Sequence, residues 1–213
     1  MKVVYILCEG PTEERFITDV LKPLFKEKQV YLTPIVIMTK QTASKKYKGG
    51  ISNYEKIKEQ LRILCRNKNA LITTMIDYYG LPKDTPGMEY KGRDLYDRVQ
   101  HIEQSIANDI GADNLICYLS VHEYEALLFS NVDAFNLISS VGTCHKLQAM
   151  REKYDTPEHI NNSTETAPSK RILKVIPEYA KVTDGTSLAK EIGVHTMKEQ
   201  CPHFREWINE LGK

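Results

Sequence analysis

Four apolar runs of strand length, at residues 3–8, 31–38, 70–76 and 115–120, alternate with stretches of helical periodicity. The first, Val-Val-Tyr-Ile-Leu-Cys, shows no polar alternation. Continuous β-branched and aromatic runs of this kind suit strands covered on both faces. Between the runs, Phe16, Ile17, Val20, Leu21, Leu24 and Phe25 recur at helical spacing. So do Ile57, Leu61 and Leu64, and then Leu95, Val99, Ile102 and Ile106. Strands alternating with amphipathic helices make βαβ units, so the expected fold class is α/β, a mostly parallel sheet with helices on both faces.

Local signals set the expected boundaries. Gly10 and Pro11 end the first strand, and Thr12 is placed to cap a helix whose positive end Glu13 and Glu14 complement. That helix is expected to reach about residue 27. Ser52 is placed to cap the second helix, and Gly111 to stop the third. Residues 122–129 read as helical. Beyond residue 130 no strong strand follows; helical pieces are expected at 132–138, 145–153, 169–176, 187–192 and 204–211. A turn-rich linker spans 155–168, and Asp184-Gly185 reads as a turn. The expectation is one structural domain, with an α/β core over 1–130 and a helical extension over 131–213 packed on it.

Charge narrows the partners. With 28 acids against 29 bases, no global field marks a nucleic-acid or membrane binder, so any basic surface must be local. Lys40, Lys45, Lys46 and Lys48, with Tyr47, lie in the polar segment 39–50, which reads either as a solvated loop or as a track for a phosphate backbone. The five cysteines are odd in number and form no Cys-x-x-Cys, which points to reduced thiols and a cytoplasmic protein. No apolar run approaches the ~18 residues of a membrane span. The chain enters a strand at once, so neither a membrane association nor a signal peptide is expected. P-loop, dinucleotide-binding and nucleophile-elbow signatures are missing from the sequence.

The acids carry the functional argument. Glu9 ends the first strand, Asp77 ends the third, and Glu123 and Glu125 follow the fourth. In a parallel sheet these strand ends share one edge, where open α/β sheets bind ligands. Converging carboxylates repel unless they share a cation or a proton. Hard divalent cations take carboxylate oxygens, so Glu9, Asp77, Glu123 and Glu125 are candidate ligands of Mg²⁺ or Mn²⁺, with Glu13 one helical turn away. Alternatively, the same acids cap helices and solvate a sheet edge. His122, beside Glu123, is placed for proton transfer or for structure. Lys170 and Arg171, after Pro168 and Ser169, read as a phosphate contact or as an ordinary basic turn. Tyr78, Tyr79 and Tyr90 are expected to pack their loop, the alternative being to stack on bases. His203 is expected to be structural, because a zinc site with Cys201 lacks two further ligands.

The stretches CEGPTEE, MIDYYGLPKDTPG, YLSVHEYEALLFS, PSKRI and CPHFREW carry a resemblance. Together they resemble a Toprim-like family, the domain-of-unknown-function 4276 group, and through it the Toprim domains of OLD-family nucleases, which share the EG-x-x-E turn. The resemblance implies a Toprim/Rossmann-like sheet and a Mg²⁺-dependent nuclease. Glu9 matches the glutamate of acid/base work or metal contact, Glu13 the second glutamate, and Asp77 the first aspartate of an Asp-x-Asp pair. Tyr79 stands where the second aspartate belongs, so a two-metal arrangement would need Glu123 or Glu125 instead. Lys170 and Arg171 would steady developing charge on a phosphoryl group. The implied partners are nucleic acid and a separate ABC- or AAA-type ATPase, in defence against foreign DNA. Two alternatives stand beside this: a non-catalytic or regulatory subunit of such a system, and a metal-dependent phosphoryl-transfer enzyme acting on a small molecule.

Overall fold

A computed structural model describes residues 1–38, 51–161 and 165–213; the lysine-rich segment 39–50 lies outside them. Its centre is a parallel five-stranded sheet, as the alternating pattern requires. The order is β2 (Val30–Val36), β1 (Lys2–Cys8), β3 (Ala70–Asp77) and β4 (Leu115–Ile116), with β5 (Leu119–Ser120) also on β3. In register, Cys8 lies between Val36 and Met75, and Asp77 lies opposite Ser120. The strand ends that carry acids therefore sit along one edge.

The expected fourth strand is two short ones. Between them the Thr74 side chain takes over the ladder: the Tyr118 amide donates to Thr74 Oγ1 at 2.8 Å, and that hydroxyl donates to the Tyr118 carbonyl at 2.7 Å. A hydroxyl that satisfies both backbone groups removes the reason for continuous pairing.

Alternate residues of the strands feed two cores. Val4, Ile6 and Met75 join a cluster with Phe16 and Phe25 of the first helical run and with Leu188 and Trp207 from the C-terminal helices. Leu7, Ile72 and Ile76 join the other, with Ile57 of α3 (Glu55–Leu64) and Ile102 of α4 (Leu95–Ile110). The helical C-terminal part thus shares a core with β1 and β3.

The first helical run begins earlier than expected. Its cap is Gly10, not Thr12; Pro11 takes the first helical position of α1 (Pro11–Phe16), where its fixed φ is already suitable. A π-helical segment, Ile17–Leu21, separates α1 from α2 (Lys22–Lys26). The extra residue per turn shifts the apolar stripe, and Leu24 emerges 37% exposed. α3 is not capped by Ser52; it starts after Tyr54, whose amide donates to the Asp84 carboxylate. α4 ends where expected, at Gly111 (φ 66°) in the left-handed region, and the structure adds Asp94 as its cap.

Downstream, Tyr124–Ser130 and Val132–Leu137 are 3₁₀ turns. They precede α5 (Val141–Arg151), α6 (Pro168–Val175), α7 (Thr183–Gln200) and α8 (Pro202–Leu211). Asp184 and Gly185 are not a turn but the opening of α7, where Asp184 Oδ2 accepts the Ala180 amide. Gly193 (φ 76°) breaks α7 internally. Among the described residues no helix is long and apolar enough to cross a membrane.

At the β5 margin, α4 and α8 are clamped together. Glu103 Oε1 accepts the Leu119 amide at 2.6 Å and lies 2.8 Å from His203 Nε2. Glu158 accepts the amides of His203 and Phe204, holding the start of α8. Trp207 donates to Thr73 Oγ1 at 2.9 Å and stacks on Tyr118 with ring centroids 4.2 Å apart. His203 is thereby a buried ion-pair partner, the structural role expected for it.

A candidate acidic site at the carboxyl edge of the sheet

Glu9 leaves β1 just before the turn into α1. Its Oε2 is buried and has no hydrogen-bond partner. Its carboxylate lies against the backbone of Gly80: a Cβ added there would come within 3.5 Å of Oε2. Burial pushes its pKa up; a hydrogen bond from the Asp77 backbone and the charge of Lys181 oppose this, and the charge of Glu123 adds to it.

Glu13, in the first turn of α1, is buried, and its Oε2 accepts the Gly10 amide at 2.9 Å. Burial, reinforced by the charges of Glu9 and Glu125, raises its pKa to about 7. Asp77 closes β3, and its Oδ1 accepts the Tyr124 amide at 3.0 Å, tying that strand to the 3₁₀ turn beyond β5. Burial first, then the charges of Glu13, Glu9, Glu125 and Glu123, lift Asp77 well above the ordinary carboxylate range.

His122 takes the left-handed conformation (φ 65°), uncommon for a residue with a side chain. Its carbonyl accepts the Tyr79 amide at 3.1 Å, which joins the end of β5 to the loop after β3. Its Nδ1 lies 3.3 Å from Asn161 Nδ2. Burial, with His159 adding, lowers its pKa to about 4, so at neutral pH the imidazole is uncharged. Glu123 Oε2 accepts the Ser169 amide at the start of α6. Glu125 is 2% exposed, and Lys181 Nζ lies 3.0 Å from its Oε1.

Glu9, Glu13, Asp77, Glu123 and Glu125 thus stand within one another's fields. The PSKR segment reaches this group through Ser169 rather than through its cations. Arg171 donates to the Thr166 carbonyl at 2.6 Å and the Tyr154 hydroxyl at 2.7 Å, with its guanidinium over the Tyr154 ring. Lys170 is exposed on α6. Tyr78 packs near the His122 ring with the Arg98 guanidinium over its own, and Tyr90 donates to Asp97. Tyr79, at the edge itself, is 38% exposed.

The cation at this edge is one that sequence reading missed. Lys181 lies in the segment between α6 and α7, and its charge acts on both Glu9 and Glu125. Burial works against its ammonium, but the charges of Glu125, Glu123 and Asp77 outweigh that and raise its pKa. One lysine in an irregular segment has no periodicity or motif to mark it.

Among the described residues no three His, Cys, Asp or Glu side chains form a ready-made cation cage. The chemistry of the donors nevertheless suits a hard divalent ion: all are carboxylates, they outnumber the neighbouring lysine, and a buried oxygen of Glu9 has no partner. Filling such a site requires the carboxylates to turn towards the ion.

Fold and site together define a parallel α/β protein with an acid-lined carboxyl edge. Over residues 8–212 the sequence matches the family described as Domain of unknown function (DUF4276), and the chain belongs to that family. No curated protein and no solved structure matches it.

Proposed function

We propose that this edge binds Mg²⁺ or Mn²⁺ and that the protein is a Toprim-like nuclease hydrolysing phosphodiesters in nucleic acid. The observation that carries this reading is that Glu9, Asp77, Glu123 and Glu125, from three strand ends, come within reach of one another's charge, with one Glu9 oxygen buried and unpartnered. The resemblance to OLD-family nucleases supports it and suggests a separate ABC- or AAA-type ATPase as partner in defence against foreign DNA.

Glu9 and Asp77 would hold the cation, with Glu123 and Glu125 in the place of the aspartate that Tyr79 displaces. Once bound, the ion would polarise a phosphoryl oxygen and acidify a water. Glu13, near neutrality, is poised to take or give a proton at its carboxyl, with uncharged His122 available as an acceptor. Lys170, exposed on α6, remains a candidate for a phosphate contact. Tyr79 and the pairing of Glu125 with Lys181 favour a second reading, a subunit of an ATPase system that keeps the fold without the chemistry.

Incubation with supercoiled plasmid, single-stranded DNA and RNA, with and without Mn²⁺, tests the reaction. The nuclease reading expects metal-dependent cleavage of at least one substrate, reduced by about 100-fold or more in Asp77→Asn. Metal binding without cleavage of any of the three would reject it in favour of the subunit or small-molecule reading.

A further inference from the structure

We infer that Lys181 is the resident counter-ion of the acidic edge and leaves Glu125 when a divalent cation enters. This rests on the reading that the edge takes such a cation. Glu125 is almost wholly buried, and a carboxylate in that position needs a positive partner. Among the described residues its ion-pair partner is Lys181, at 3.0 Å. Lys181 also feels Glu123 and Asp77 and acts on Glu9, so its ammonium sits in the common field of the four candidate ligands. That is where a metal ion would have to act.

The two cations differ in how they are held. The lysine side chain is 44% exposed on a flexible stem, in a segment with no regular structure, so its departure disturbs no core packing. A divalent ion carries twice the charge and attracts every carboxylate of the group at once. Glu125 therefore exchanges one partner for another and is not left buried and bare. The released ammonium remains tethered beside the edge, free to meet a phosphoryl oxygen of the substrate.

Calorimetric Mn²⁺ titration of wild type, Lys181→Met and Lys181→Arg tests the exchange, with thermal melting to check folding. The expected result is binding about tenfold tighter in Lys181→Met, where no ammonium competes, and wild-type affinity in Lys181→Arg. Equal or weaker binding in a folded Lys181→Met overturns the inference. A measurement on the unmodified chain stands beside it: acylation of Lys181 by an amine-reactive ester, read by peptide mass spectrometry, should rise severalfold on adding Mn²⁺. Unchanged or reduced labelling in wild type that binds Mn²⁺ overturns the inference as well. Wild type that binds no Mn²⁺ overturns the reading beneath it instead.

Discussion

Glu13 shows how much the surroundings of one carboxyl can change its behaviour. A carboxyl raised to about 7 holds its proton more tightly in the folded chain than in the unfolded one. The stability it contributes is complete below the unfolded value of ~4.3 and is lost as pH rises through about 7. Without metal, the protein is expected to lose on the order of 2 kcal/mol between about pH 5 and pH 8 through this residue. Glu13→Gln keeps an acceptor for the Gly10 amide but has no proton to lose, so it should flatten that part of the slope. Urea unfolding at the two pH values measures the difference; an identical slope in the variant would show that Glu13 ionises normally. Glu9 and Asp77 were legible in the sequence because an acid at the end of an apolar strand in a parallel sheet has its position fixed by topology. Lys181 was not, since its place depends on how an irregular segment between two late helices lies over the edge. Arg171 reads from its neighbours as either a phosphate contact or an ordinary basic turn, and the structure sets its guanidinium against the ring and hydroxyl of Tyr154.

Between elements, Glu103 of α4 pairs with His203 of α8, both largely buried. Removing one member of a buried pair leaves the other uncompensated, so His203→Ala is expected to cost about 3 kcal/mol in chemical denaturation. A loss within about 0.5 kcal/mol would mean that the pair is idle. Trp207 fills the same margin, between Thr73 and Tyr118, and Trp207→Ala should cost about 3–5 kcal/mol by the same measurement. The parallel strands were readable from their continuous apolar runs, and α4 because hydrophobic period and stop agreed. The π-helical segment after Phe16 and the division of β4 from β5 were not. The first is a one-residue change of helical phase, and the second depends on a threonine hydroxyl two elements away.

At the scale of the whole molecule, the sheet has one face covered by α3 and α4 and the other by a layer to which the C-terminal helices contribute. Cutting the chain after residue 130 would strip Val4, Ile6 and Met75 of much of their cover. The fragment 1–130 is expected to show no cooperative thermal transition; a sharp one would mean that the α/β part is stable without the rest. The same layering brings Lys181 and Ser169 from the C-terminal layer to acids placed by β1, β3 and β5. The site is thus shared between the two parts of the chain. The cation binding proposed for it is tested most directly by calorimetric titration of Mn²⁺ into wild type and Asp77→Asn. The expected result is saturable binding to wild type and affinity weakened at least about tenfold in the variant, each tenfold being ~1.4 kcal/mol. No heat of binding in wild type, or indistinguishable isotherms for the two proteins, would contradict a divalent-cation site at this edge.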